Sequence, residues 1–407
     1  MKKVELLAPA GGLEKLKMAV VYGADAVYIG GEAYSLRASA DNFSREEMKE
    51  GIEFAHKNGK KVYLTMNIIP HNEDLEAMPE YIKDSCDMGI DAIILSDPGV
   101  YSLVKEVAPN IPIHISTQAN NTNWRSAKFW YEHGASRIVL ARELSLNEMK
   151  EIRDKVSEDL ELEMFIHGAM CISYSGRCLL SGYMADRDSN KGLCAHPCRW
   201  KYHLVEEKRP GEYLPVYENE RGTYIFNSKD LCMLEFIPDI INAGITSLKI
   251  EGRMKSSFYV ATVVKAYREA IDSYYENTEK YQYNPKWFEE ISKASHREYT
   301  TGFYFNKTTG RDQIYNTSSY VRDYEFIGIV RAYDSETGIA TIEQRNRMFK
   351  DQEIEVMSPK GDFFVQKIYA MKNTENEIID AAPHPQMILY MKMDKPVQEF
   401  SILRKKR

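Results

Sequence analysis

Four stretches of the chain repeat one arrangement of apolar and polar residues: Tyr22-Gly-Ala-Asp-Ala-Val-Tyr-Ile29, Met88-Gly-Ile-Asp-Ala-Ile-Ile-Leu95, His133-Gly-Ala-Ser-Arg-Ile-Val-Leu140 and Ala243-Gly-Ile-Thr-Ser-Leu-Lys-Ile250. In each, a helix stops at glycine, a turn follows, and a short apolar run begins. Glycine stops helices because it enters the left-handed region without a Cβ clash. A brief β-prone run bounded by turn residues is the pattern of a buried strand. With Val4–Leu7, Lys61–Met66, Ile113–Ser116 and Leu162–His167 added, the pattern predicts strands near residues 4, 26, 62, 92, 113, 137, 162 and 246. Stretches of helical spacing such as Leu13–Val21 lie between them.

Eight strands alternating with helices predict an α/β fold, a TIM-like (β/α)8 barrel. A doubly wound open sheet is the alternative, but no Gly-x-Gly-x-x-Gly turn follows the first strand. The gap from Cys171 to Thr223, between strands seven and eight, is far longer than an ordinary βα connection, which makes it an insertion on the rim. After a helix at Ser256–Tyr275 comes a connector dense in Tyr, Phe and Trp. Most of these rings are expected to cement two domains, and a minority to stack on unpaired bases. From Phe326 the period shortens to that of strands: Phe326–Tyr333, Ile339–Gln344, Glu353–Met357, Phe363–Met371, Met387–Met391 and Phe400–Leu403 predict a small antiparallel β-barrel. It is similar in pattern to the second domain of translation elongation factors. The domain reading is therefore 1–275 for the TIM-like barrel, carrying a Cys-rich insertion at 171–232, then 276–322 for the connector and 323–407 for the C-terminal β-barrel.

Composition changes little in this picture. The chain has 407 residues, 43% hydrophobic and 28% charged, with a net charge of −7, ordinary for a globular protein and without a global basic field for nucleic acid. Its last four residues, Arg404-Lys405-Lys406-Arg407, read as a solvated basic tail or a phosphate contact. No signal core follows Met1 and no apolar run reaches membrane length, so a cytoplasmic, reducing compartment is expected.

Chemistry concentrates in the thiols. Five of the six cysteines, Cys171, Cys178, Cys194, Cys198 and Cys232, fall in the insertion, and only Cys86 lies elsewhere. A reducing compartment disfavours disulfides, which leaves metal, or buried cysteines without ligands. Zinc sites space paired ligands by two to four residues, whereas six separate Cys171 from Cys178; seven residues of helix would hold them roughly 10 Å apart. That spread points to a 4Fe-4S cluster, with zinc the alternative. At the strand ends, where such barrels do their chemistry, stand Asn67, Ser116-Thr117-Gln118, Arg142, His167, Lys249, Glu251 and Arg253. Polar residues are also expected there simply because strand ends meet solvent. Arg142 and Arg253, with Arg37 and Arg177 next, are candidates to grip a dicarboxylate through bidentate guanidinium contacts. His167 is a candidate acid/base, or a hydrogen-bonded group behind the metal ligands.

Three segments carry a resemblance: Glu163-x-Phe165-x-His167-Gly168-Ala169-Met170-Cys171-x4-Gly176-x-Cys178-x-Leu180-Ser181, Lys249-Ile250-Glu251-Gly252-Arg253-Met254, and His296-Arg297-x-Tyr299-Thr300-Thr301-Gly302-Phe303-Tyr304, together with Leu7-Ala8-Pro9-Ala10-Gly11 at the start. Over nearly its whole length the chain resembles the collagenase-like peptidase family U-32, most closely the tRNA hydroxylation branch that makes 5-hydroxyuridine at the wobble position using prephenate. The resemblance implies a TIM-like barrel and a 4Fe-4S cluster on Cys171, Cys178, Cys194 and Cys232, with Cys198 used instead in some branches. It also implies prephenate as co-substrate, the tRNA anticodon loop as partner and, in some relatives, a paralogous partner subunit. His167, Glu251, Arg142 and Arg253 are then the candidate catalytic group.

Three functions compete on these residues. A peptidase finds no support in a His-Glu-x-x-His helix or a Gly-x-Ser-x-Gly elbow, and a thiol nucleophile would have to come from residues better suited to a cluster. A non-catalytic iron-sulfur scaffold has no need of cations at the barrel mouth. A tRNA-modifying enzyme uses all of these features, and is the expected function.

Overall fold

The computed structural model describes residues 3–35, 42–171, 173–174, 177–189, 192–199, 218–219, 222–223, 229–306 and 321–407. Arg37 falls outside them. Eight parallel strands form the centre: β1 (Glu5–Pro9), β2 (Ala26–Ile29), β3 (Lys61–Met66), β4 (Ala92–Leu95), β5 (Ile113–Ile115), β6 (Arg137–Val139), β7 (Glu161–Ala169) and β8 (Ser247–Ile250). Because β8 pairs with both β7 and β1, the sheet closes and has no edge. This is the TIM-like barrel read from the repeats.

Alternation along each strand divides two interiors. Leu6, Ala8, Val27, Ile29, Val62, Leu64, Ile93 and Leu95 belong to the large core that includes the surrounding helices. On the opposite faces, Leu7, Ala26, Tyr28, Tyr63, Ala92 and Ile94 make a separate small cluster inside the barrel. At the N-terminal ends of the strands that inner space is ionic. Arg137, 3% exposed, donates from Nη1 to Glu5 at 2.6 Å and to Glu163 at 2.9 Å, and from Nη2 to Glu161 at 2.6 Å. A buried guanidinium survives only with such partners.

The C-terminal part is an antiparallel half-barrel. Its strands are β9 (Tyr324–Asp334), β10 (Ile339–Gln344), β11 (Glu353–Met357), β12 (Phe364–Lys367), β13 (Met371–Lys372), β14 (Ile378–Ile379), β15 (Ile388–Lys392) and β16 (Ile402–Lys406), in the sheet order β12-β11-β16-β9-β10-β15-β13-β14. The single strand expected over Phe363–Met371 is two, interrupted where Ile368 turns into the core. In the basic C-terminus Lys406 and Arg407 are exposed, but Arg404 departs from the expected solvated tail: it is fully buried in β16 and bonds Glu290 at 2.7 Å and Glu355 at 2.8 Å. Its charge ties the half-barrel to helix Pro285–Lys293.

Further contacts fix the two parts together. The Tyr22 hydroxyl meets the carbonyl oxygens of Met357 and Phe400, each at 2.9 Å, and Glu14 pairs with Arg331 at 2.6 Å and with Arg345. Among the described residues, no helix is long and apolar enough to cross a membrane.

Candidate active site

At the C-terminal ends of the strands the barrel opens into a cavity of about 230 Å³. Four cations border it: Arg142, Lys249, Arg253 and Lys255, the last with its Nζ 3.3 Å from the Ser295 carbonyl oxygen. Arg142, just beyond β6, is 8% exposed, and its guanidinium lies 3.8 Å from the centroid of the Phe165 ring. Among the described residues Arg142 makes no salt bridge, and its Nε has no hydrogen-bond partner. Arg253, beyond β8, is held differently: its Nη1 donates to Ser35 Oγ and, at 3.1 Å, to Thr65 Oγ1, while Nη2 reaches Asn42 Oδ1 at 2.9 Å. Gly30 makes room for it, since a Cβ there would stand 2.1 Å from Nη2. Lys249, 4% exposed in β8, donates to Glu163 Oε1 at 2.7 Å.

Cys171, Cys178 and Cys194 border the same cavity, as do Glu251 and His196. Among the described residues, no three Cys, His, Asp or Glu side chains stand close enough to share one metal ion. Cys232 is in a short strand, Asp230–Cys232, that pairs antiparallel with the end of β7. Burial pushes its thiol up to about 11, with the Tyr267 hydroxyl 3.9 Å from its sulfur.

Residues 11–314 match the model of peptidase family U32, and residues 322–404 match that of the family's C-terminal domain. The chain belongs to peptidase family U32. It is 45% identical to tRNA hydroxylation protein P1 of Bacillus subtilis, over 99% of this chain and 95% of that protein. Its identity to tRNA hydroxylation protein P of Escherichia coli is 39%, over 94% and 92% of the two chains. A protein named collagenase from Porphyromonas gingivalis is 32% identical over 94% and 93%.

On this U32 barrel Cys198 and Cys232 are not in the cavity lining, and the other described residues singled out from the sequence separate into three groups. Arg142, Arg253, Glu251, Cys171, Cys178 and Cys194 meet at the cavity. Arg177 is on the surface and turns to Asn120, 3.4 Å away. His167 is 1% exposed and packs among the rings of Tyr259, Tyr267 and Tyr299, at 5.9, 5.5 and 5.4 Å, outside the cavity lining. The cause is a register shift: Phe165 pairs with Lys249, but the next pair is His167 with Ile250, so one residue of β7 is skipped and the imidazole leaves the inward face. Burial, then the charge of Lys255, pushes its pKa down to about 3, which keeps the ring neutral. The next residue has to be glycine: Gly168 has φ +109°, and a Cβ there would meet the Glu251 carbonyl oxygen at 2.6 Å.

Lys249 also borders the cavity, beyond the arginines that the sequence suggests for acid binding. The available signal was a lysine in the middle of the apolar run Ser-Leu-Lys-Ile, where a buried charge needs a partner and a purpose. Its partner, Glu163, is equally unusual in β7.

Proposed function

We propose that this chain hydroxylates C5 of the wobble uridine of tRNA, with prephenate as the source of the hydroxyl group and a 4Fe-4S cluster held by Cys171, Cys178, Cys194 and Cys232. The observation that carries the reading is Arg142: a buried guanidinium without a carboxylate partner among the described residues, at a cavity also bordered by three thiols. Such a charge in a low-dielectric site favours an anionic ligand. Near-full-length relatives are named tRNA hydroxylation proteins, which supports tRNA as the macromolecular substrate.

The donor set suits a cluster better than a single ion. Soft sulfur ligands border one cavity while no three ligands converge on one point among the described residues, and a cubane offers several corners instead of one centre. A bound cluster supplies electron transfer or an open iron for a substrate oxygen. In this arrangement Arg142 receives a carboxylate, and Arg253 ties Ser35, Asn42 and Thr65 into one wall of the site. His167, neutral and enclosed by tyrosines, supports the strand pair that carries Cys232. The anticodon loop, with its unstacked bases, is the part of tRNA able to deliver a nucleobase to a cavity of this size. A paralogous second subunit belongs to this proposal as well.

Nucleoside analysis of tRNA from a strain lacking the gene tests it. The reading requires 5-hydroxyuridine derivatives to vanish, to return with the wild-type gene and to stay low with Arg142→Ala. Unchanged tRNA nucleosides in the deletion strain would remove the proposal.

A further inference from the structure

Beside the two arginines, the cavity has a cation in β8 whose hydrogen-bonding capacity is only partly used. Lys249 Nζ can donate three hydrogen bonds, and Glu163 Oε1 is its one hydrogen-bonded partner among the described residues. That carboxylate is shared: its Oε2 accepts from Arg137 at 2.9 Å and from Ser247 Oγ at 3.0 Å. Glu163 thus contacts both buried cations, while Arg137 has Glu5 and Glu161 as well. Tyr28 and Phe165 cover the rest of the ammonium, with ring centroids 4.6 and 5.5 Å away, and both rings border the cavity. Phe165 is also the ring on which Arg142 lies.

The arrangement brings two cations with spare donor capacity among the described residues to one aromatic floor. Arg253 contributes less to that floor, because its two terminal nitrogens already donate to Ser35, Thr65 and Asn42. We propose that Lys249 contacts the bound acid directly, and that Lys249 and Arg142 together, with Phe165 between them, form a seat for a small organic dianion. The inference rests on the acid-binding reading of the cavity and adds to it the residue that selects two carboxylates over one. The guanidinium, a planar fork, grips one carboxylate bidentately; the ammonium, a point charge, takes the second from the barrel floor.

Removing Lys249 alone leaves Glu163 with less compensation, so the test uses the neutral pair Lys249→Met/Glu163→Gln beside Lys249→Met. Anaerobically purified full-length protein is titrated calorimetrically with prephenate, with isophthalate as a simple dicarboxylate and with benzoate as the matching monocarboxylate. The seat requires the double variant to lose at least tenfold in affinity for a dicarboxylate that wild type binds, and less than threefold for benzoate, while its melting temperature stays near that of wild type. Wild-type affinity in the double variant, or an equal loss for both classes of acid, overturns the seat. Wild type that binds isophthalate but not prephenate removes prephenate from the proposed function, and the same comparison made on isophthalate then decides the seat. Wild type that binds neither dicarboxylate overturns the seat outright.

Discussion

Arg142 and Arg253 border the same cavity, yet among the described residues Arg142 has no carboxylate partner, whereas Arg253 is bound by three side-chain oxygens from two segments of the barrel. Their substitutions should therefore differ. Arg142→Lys is expected to weaken prephenate binding at least tenfold, about 1.4 kcal/mol, because an ammonium cannot reproduce a bidentate fork. Arg253→Lys should instead lower the melting temperature, since it loses bonds that join Ser35, Asn42 and Thr65. Calorimetric titration and thermal unfolding of both variants separate the two roles. Equal affinities in wild type and Arg142→Lys would place the acid elsewhere.

The thiols make a second prediction. Protein purified without oxygen should be brown and hold iron and acid-labile sulfide near one cubane per chain. Serine at Cys171, Cys178, Cys194 or Cys232 should remove the colour and reduce soluble yield, because cluster binding and folding are linked; serine at Cys86 should do neither. Stoichiometric zinc without sulfide would refute the cluster.

One relative is named collagenase, and a cleavage assay addresses that activity directly. The anaerobic holoprotein is expected to leave gelatin intact. Cleavage that follows the protein through further purification and disappears with Cys194→Ser would favour a peptidase.

Acid should loosen the barrel at its ionic end. Burial raises the Glu5 carboxyl, but the charge of Arg137 and hydrogen bonds from Arg137, Tyr63 and Ser247 outweigh it and leave the pKa below its ordinary 4.5. A depressed carboxylate contributes stability that is present above its unfolded pKa and is lost as pH falls through the folded value. Melting temperature should accordingly hold above about pH 5 and fall below pH 4.5, with a shallower fall in Glu5→Gln. Arg137→Met, which takes a cation away from Glu5, Glu161 and Glu163, should cost about 3–5 kcal/mol at neutral pH. Denaturant titrations across this pH range measure both effects.

Tyr22→Phe tests how the two parts of the molecule are joined. It takes a hydroxyl from the buried carbonyl oxygens of Met357 and Phe400, for an expected loss of about 1–3 kcal/mol. Prephenate affinity should not change, since the cavity is at another end of the barrel. A variant as stable as wild type would show that water replaces the hydroxyl.

The barrel was legible in the sequence because each unit repeats a local signal: glycine stops a helix and a short, mostly apolar run begins a strand, as in Tyr22–Ile29 and Met88–Leu95. The dense thiols and the polar strand ends were equally local, and they brought Arg142, Glu251, Arg253, Cys171, Cys178 and Cys194 to one cavity. What depends on register was not legible. A skipped residue in β7 turns His167 away from the site, and no spacing along the chain announces it. Neither does the pairing that places Lys249 opposite Phe165 and above Glu163, or the one that buries Arg404 between Glu290 and Glu355. A side chain's charge is written in its residue type, but whether that charge is neutralised depends on which distant strand the closed barrel brings alongside, and that only the tertiary structure decided.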